Sequence, residues 1–103
     1  MTTAVSSEIE VEITLLPLGS GGRNGPILQG EYRGILGVAD EHFSVRFFVP
    51  LDNGFALGST ATFGVQFLAP EAALPCFPVG TSFTVWEGRV IGTGKVTKVL
   101  QHV

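Results

Sequence analysis

Trp86-Glu87-Gly88-Arg89-Val90-Ile91-Gly92-Thr93-Gly94-Lys95-Val96-Thr97-Lys98-Val99-Leu100 is the stretch whose reading decides the fold. It reads as the end of one strand, a tight turn at Glu87-Gly88, and a long second strand carrying two glycines two residues apart. Glycines inside a strand let it coil and let a neighbour approach closely. Ser82 to Glu87 and Arg89 to Leu100 are therefore expected to form a closing hairpin. The alternative reading of Gly92-Thr93-Gly94-Lys95 as a phosphate loop fails on spacing. That motif also needs a glycine six residues ahead of the lysine and a Ser or Thr after it, whereas Arg89 and Val96 stand in those places.

Upstream, Glu8 to Leu16 alternates with period two. Ile9, Val11, Ile13 and Leu15 share one face; Glu8, Glu10, Glu12 and Thr14 share the other, which predicts a half-buried strand with a solvated or partner-facing acidic side. Gly19-Ser20-Gly21-Gly22-Arg23-Asn24-Gly25-Pro26 reads as a loop, followed by a short extended piece at Ile27-Leu28. Tyr32 to Val38 is a weaker strand, with Gly34 and Gly37 suggesting a bulge or a close backbone approach. Asp40-Glu41-His42 reads as a polar turn, Phe43 to Val49 as a strand, and Asn53-Gly54 as a turn. Thr60 to Leu68 alternates again. Pro70 to Pro78 is broken by proline and has room for one helical turn at Glu71-Ala72-Ala73. About six strands with no amphipathic helix predict an all-β domain, a small antiparallel barrel or sandwich.

The 103 residues suit one domain, with residues 1–7 as a small polar arm and 8–103 as the body. Hydrophobic residues make up 45% and charged residues 15%, enough to form a core and too few charges for a disordered chain. A net charge of −3 does not favour a nucleic-acid binder. A lone cysteine, Cys76, fits a reducing, cytoplasmic setting and reads as a small buried apolar group. No basic-then-apolar leader stands at the start, and no apolar run approaches the ~20 residues of a spanning helix.

Three places resemble one known family. Glu10-Val11-Glu12-Ile13-Thr14-Leu15-Leu16 is similar to its opening strand. Gly21-Gly22-Arg23, with Pro26 three residues on, is similar to its next loop. Glu87-Gly88-Arg89, Ile91-Gly92-Thr93-Gly94 and Val96-Thr97-Lys98-Val99-Leu100 are similar to its closing hairpin. The family is the C-terminal β-barrel domain (domain 3) of translation elongation factor Tu and related translational GTPases. The resemblance covers about Glu8 to Leu100 and implies a single six-stranded antiparallel Greek-key β-barrel. It implies a domain without catalysis, cofactor, metal or nucleotide, whose surface meets protein partners and one side of aminoacyl-tRNA. On that basis Arg23, Asn24, Tyr32 and Arg33 are candidate contacts. Gly30-Glu31-Tyr32-Arg33-Gly34 differs from the family's Gly-Tyr-Arg-Pro run by an inserted Glu31 and a missing proline.

The residues themselves add further candidates. Arg89, Ile91, Thr93, Lys95, Thr97 and Val99 share one strand parity, so Arg89 and Lys95, with Lys98 and Arg23 near them, could form a small basic patch. Such a patch binds phosphate weakly and salt-sensitively; scattered surface charge is the competing reading. If Phe83 and Val85 face the core, Trp86 faces out, as a contact anchor or beneath a covering loop. Gly19-Ser20-Gly21-Gly22 could cradle an anion, against a plain turn. His42, His102 and Cys76 show no metal-ligand spacing. Three functions remain open: a non-enzymatic module docking onto a protein partner or itself, an RNA-binding accessory of translation, and a small-ligand carrier or enzyme with a pocket at a barrel mouth.

Overall fold

The computed structural model describes residues 7–50 and 54–100. The expected arm (all but Ser7), most of the Pro50-to-Gly54 turn and His102 lie outside the described residues. Six strands form: β1 (Ile9–Leu15), β2 (Gly30–Val38), β3 (Glu41–Val49), β4 (Thr60–Phe67), β5 (Ser82–Trp86) and β6 (Val90–Val99). A single helical turn, α1 (Pro70–Ala73), and a 3-10 turn at Leu74–Cys76 lie between β4 and β5. The strands close into a barrel in the order β1-β4-β3-β2-β5-β6, every pairing antiparallel. β2, β3 and β4 run as neighbours and β5 returns beside β2, which is the Greek-key connection. No helix of the described residues is long and apolar enough to cross a membrane.

β1 shows why the sequence folds this way. Ile9, Val11, Ile13 and Leu15 are all 0% exposed, so period-two alternation has put every one of them inside. Phenylalanines fill the two ends. At one end Phe55, held by an isolated bridge to Ile27, meets Phe63, which meets Phe47 and through it Tyr32. At the other end Phe77, from the proline-broken segment, meets Phe43, Phe67 and Phe83. Of the eight phenylalanines only Phe48 faces solvent, at 60% exposure.

Strand glycines make room for aromatic rings. A Cβ on Gly94 would lie 2.4 Å from Phe83 Cζ, on Gly34 2.6 Å from the Tyr32 ring, and on Gly37 2.7 Å from Trp86 Nε1. Covering strand glycines with rings in this way is a recognised device of sheet packing. β2 pairs without interruption along β3, so Gly34 and Gly37 mark approaching side chains and neither a bulge nor a backbone contact.

Four sequence expectations are corrected. Glu8 is 7% exposed, and its carboxylate accepts a 2.7 Å hydrogen bond from the Phe67 N–H. The end of β4 needs an acceptor there, and an unmet buried donor is costly. The turn after β2 is Ala39-Asp40 alone, with Ala39 at φ +53°; Glu41 and His42 already belong to β3. Cys76 is half-buried at the rim of the core, its sulfur 4.0 Å from Glu41 Oε2. Finally, β6 does not keep one parity. Its register shifts against β5 around Ile91 and against β1 around Thr97. Each shift inserts one extra residue and swaps the faces. Ile91 and Val96 therefore both point inward, while Thr93, Lys95 and Lys98 are exposed.

Candidate functional site

The outer face of β5, β2, β3 and β4 carries the most unusual surface. Register aligns Trp86 with Ile35 and Ile35 with Ser44, and Leu68 donates its N–H to the Ser44 carbonyl at 3.0 Å. The row Trp86, Ile35, Ser44 thus crosses β5, β2 and β3 and ends at Leu68, the residue after β4. Leu68 is 83% exposed and Ile35 37%. One row along, Arg33 faces Arg46 and Arg46 faces Gln66. Beyond that, Glu31 faces Phe48. The two inner rows, with Glu87, line a hollow of ≈ 710 Å³.

Its charges are tied down from one side. Glu31 accepts from Arg33 Nε at 2.7 Å and lies 3.9 Å from Arg46 Nη1, while Arg46 Nε donates to Gln66 Oε1 at 2.5 Å. The Arg33 hydrogen bond, with the charges of Arg33 and Arg46, holds the Glu31 carboxyl below the usual carboxylate range. Two arginines directly opposite one another across a strand pair disfavour the pairing, and one carboxylate offsets both. Trp86 is half-buried. It lies over Gly37, edge-on to His42 with ring centroids 4.9 Å apart, and its Nε1 donates to Thr84 Oγ1 at 2.6 Å.

Beside this face, Glu87 latches the glycine-rich loop to the barrel. Its carboxylate takes hydrogen bonds from both Arg23 and the Tyr32 hydroxyl. Arg23 also donates to the carbonyls of Gly25 at 3.0 Å and Pro26 at 3.2 Å. Its guanidinium is therefore committed to the loop and is not open to a phosphate. The loop itself is a plain turn, Ser20 bonding back to the Pro17 carbonyl.

Tyr32 reports on this latch. Burial, then the hydrogen bond from its hydroxyl to Glu87 and the charge of Glu87, push its phenol well above the ordinary value; Arg23 opposes them. A folded pKa above the unfolded one gives stability that is complete below the unfolded value of about 10 and is lost as pH rises through the folded value. Tyr32 is the only tyrosine, so its ionisation can be read alone by near-ultraviolet absorbance. The expected result is no phenolate until the chain unfolds in alkali, with Tyr32→Phe less sensitive to alkali. A reversible titration near pH 10 in the folded protein would refute it.

The sequence-derived candidates thus fall into three places. Arg33 and Trp86 line the large hollow. Arg23, Asn24 and Arg89 meet Glu87 around a second hollow of ≈ 380 Å³, with Tyr32 reaching the same carboxylate. Lys95 and Lys98 stand apart, opposite Glu12 and Glu10 on β1. The four basic residues therefore form no common patch. The register shift at Ile91 lies between Arg89 and Lys95, and the acidic side of β1 faces the two lysines. Among the described residues no group of three His, Cys, Asp or Glu side chains is placed to hold a metal.

Ile35, Arg46, Phe48 and Leu68 were not singled out from sequence. Arg46 was legible through its outward parity in Phe43 to Val49. Ile35 and Leu68 acquire meaning only through cross-strand register. No family model matches the chain, and no curated protein matches it.

Proposed function

We propose that this chain is a non-enzymatic docking domain that binds a protein through the outer face of β2, β3, β4 and β5. The observation that carries the reading is the apolar row Trp86–Ile35–Leu68, half-buried at Trp86 and exposed at Ile35 and Leu68, beside Arg33 and Arg46 on the outside of a barrel already filled within. Exposed apolar groups gathered in a hollow and rimmed by charge are the mark of an interaction surface. Among the described residues the barrel is closed. Binding therefore runs through side chains and not through addition of a strand to a free edge. The resemblance to the C-terminal barrel of elongation factor Tu supports a translation-related role, as mimic or competitor of the full-length factor.

The RNA reading has less support, because Arg23 is tied to Glu87 and the β6 lysines face carboxylates. The test compares wild type with Ile35→Asp as matched baits, together with free tRNA at low salt. Retention of a defined protein, one chain or several, by wild type and its loss from Ile35→Asp is expected. Identical retention by both baits would defeat the docking reading. A salt-sensitive tRNA shift abolished by Arg89→Glu would favour RNA instead.

A further inference from the structure

We infer that the partner of this face is a second copy of the same chain, packed about a two-fold axis; this rests on the docking reading and names its occupant. The face is charged oppositely at its two ends. Arg33 and Arg46 stand at one end, paired with Glu31, while Glu87 beside them is taken up by Arg23 and Tyr32. At the other end lies the Ala39-Asp40 turn and, beyond the end of β4, Glu71 on α1, both Asp40 and Glu71 exposed. The apolar row and the Trp86–His42 pair lie between them.

An isologous interface places each surface element against its own rotated image. Set the axis across the strands at the level of Leu36 and Phe43, which face each other in the ladder. Arg33 is then three residues to one side and the turn at Ala39 three residues to the other, about 10 Å each way at ~3.3 Å per residue. Rotation lays the arginine end of one copy over the acidic end of the other, twice, with Ile35, Leu68 and Trp86 packed at the centre. This arrangement also gives the opposed Arg33–Arg46 pair carboxylate partners beyond Glu31. An acidic partner of another kind would satisfy the arginines but would leave Asp40 and Glu71 facing their own sign.

Sedimentation equilibrium on the intact chain tests this, with two charge-reversed variants, Arg33→Glu/Arg46→Glu and Asp40→Lys/Glu71→Lys. Wild type should dimerise reversibly. Each variant alone should associate at least about tenfold more weakly, and an equimolar mixture of the two should recover a heterodimer. Trp86, the only tryptophan, should shift its emission to the blue as wild type is concentrated. Circular dichroism identifies any variant that fails to fold, and Arg33→Gln or Asp40→Asn then takes its place. A wild type that stays monomeric to about 1 mM, or variants that dimerise like wild type, would overturn the proposal. So would a mixture that stays monomeric. A monomer whose matched baits still retain different proteins would leave the docking reading standing; a monomer whose baits are indistinguishable would remove both.

Discussion

Gly94→Ala is expected to destabilise the domain by about 3 kcal/mol, a large share of the ~5–15 kcal/mol that holds a domain of this size together. The reason is geometric. Gly94 faces into the barrel, where a Cβ would lie 2.4 Å from Phe83 Cζ and 2.7 Å from the Glu12 carbonyl oxygen. Phe83 is 4% exposed and its ring packs on Phe77, so it cannot swing clear without disturbing the aromatic cluster at that end. The carbonyl belongs to β1, which pairs with β6 on one side and β4 on the other. Gly25→Ala is the control, because a Cβ there meets nothing within 4 Å, and its effect should stay within about 0.5 kcal/mol. Urea denaturation measures both. Phe83→Leu added to Gly94→Ala should recover part of the loss, since it relieves the ring contact and leaves the backbone one. A Gly94→Ala as stable as wild type would mean that β6 passes its neighbours less closely than described.

The same glycine shows why the fold could be read from sequence. A strand with glycines two apart is intelligible only if something large comes close to it, and a small closed barrel supplies that. Alternation placed Ile9, Val11, Ile13 and Leu15, and likewise Phe63, Val65 and Phe67 in Thr60 to Leu68, on the side that proves to be buried, because burial leaves the strand one register. Where assignment failed, a local insertion was the cause. The shift at Ile91 reverses the faces of β6, so a parity that starts at Arg89 no longer holds at Lys95, and the shift at Thr97 reverses them again before Val99. Glu8 failed for a different reason: a carboxylate on an apparently solvated face was recruited to the N–H of Phe67, 59 residues away. The candidate surface was legible only in part. Trp86 could be named from strand parity and Arg33 from the family resemblance. Their union with Ile35, Arg46 and Leu68 depends on which residues stand opposite across β5, β2, β3 and β4, and the order of strands in a barrel is not written in any one of them.

Phe77→Ala is expected to have an effect at least as large, about 3–5 kcal/mol, lowering the melting temperature by at least about 15 °C. Phe77 is fully buried although it belongs to no strand. It closes one end of the barrel, its ring centroid 4.9 Å from that of Phe67, 5.6 Å from Phe43 and 6.0 Å from Phe83. Its removal leaves three rings without a common neighbour, and the cavity can shrink only if a proline-flanked segment moves inward. Phe77→Leu keeps most of the volume and should cost clearly less. The effect should also reach the docking face. Phe43 and Phe67 sit next in sequence to Ser44 and Leu68, so a loosened cluster changes the shape of the apolar row from beneath. Phe77→Ala should therefore weaken self-association even in conditions where it remains folded, whereas Cys76→Ala beside it, half-buried at the rim, should leave both stability and association close to wild type. If Phe77→Ala melts like wild type, the end of the barrel is closed by something other than this ring. If it melts early yet associates normally, the row Trp86–Ile35–Ser44–Leu68 is held by the strands alone.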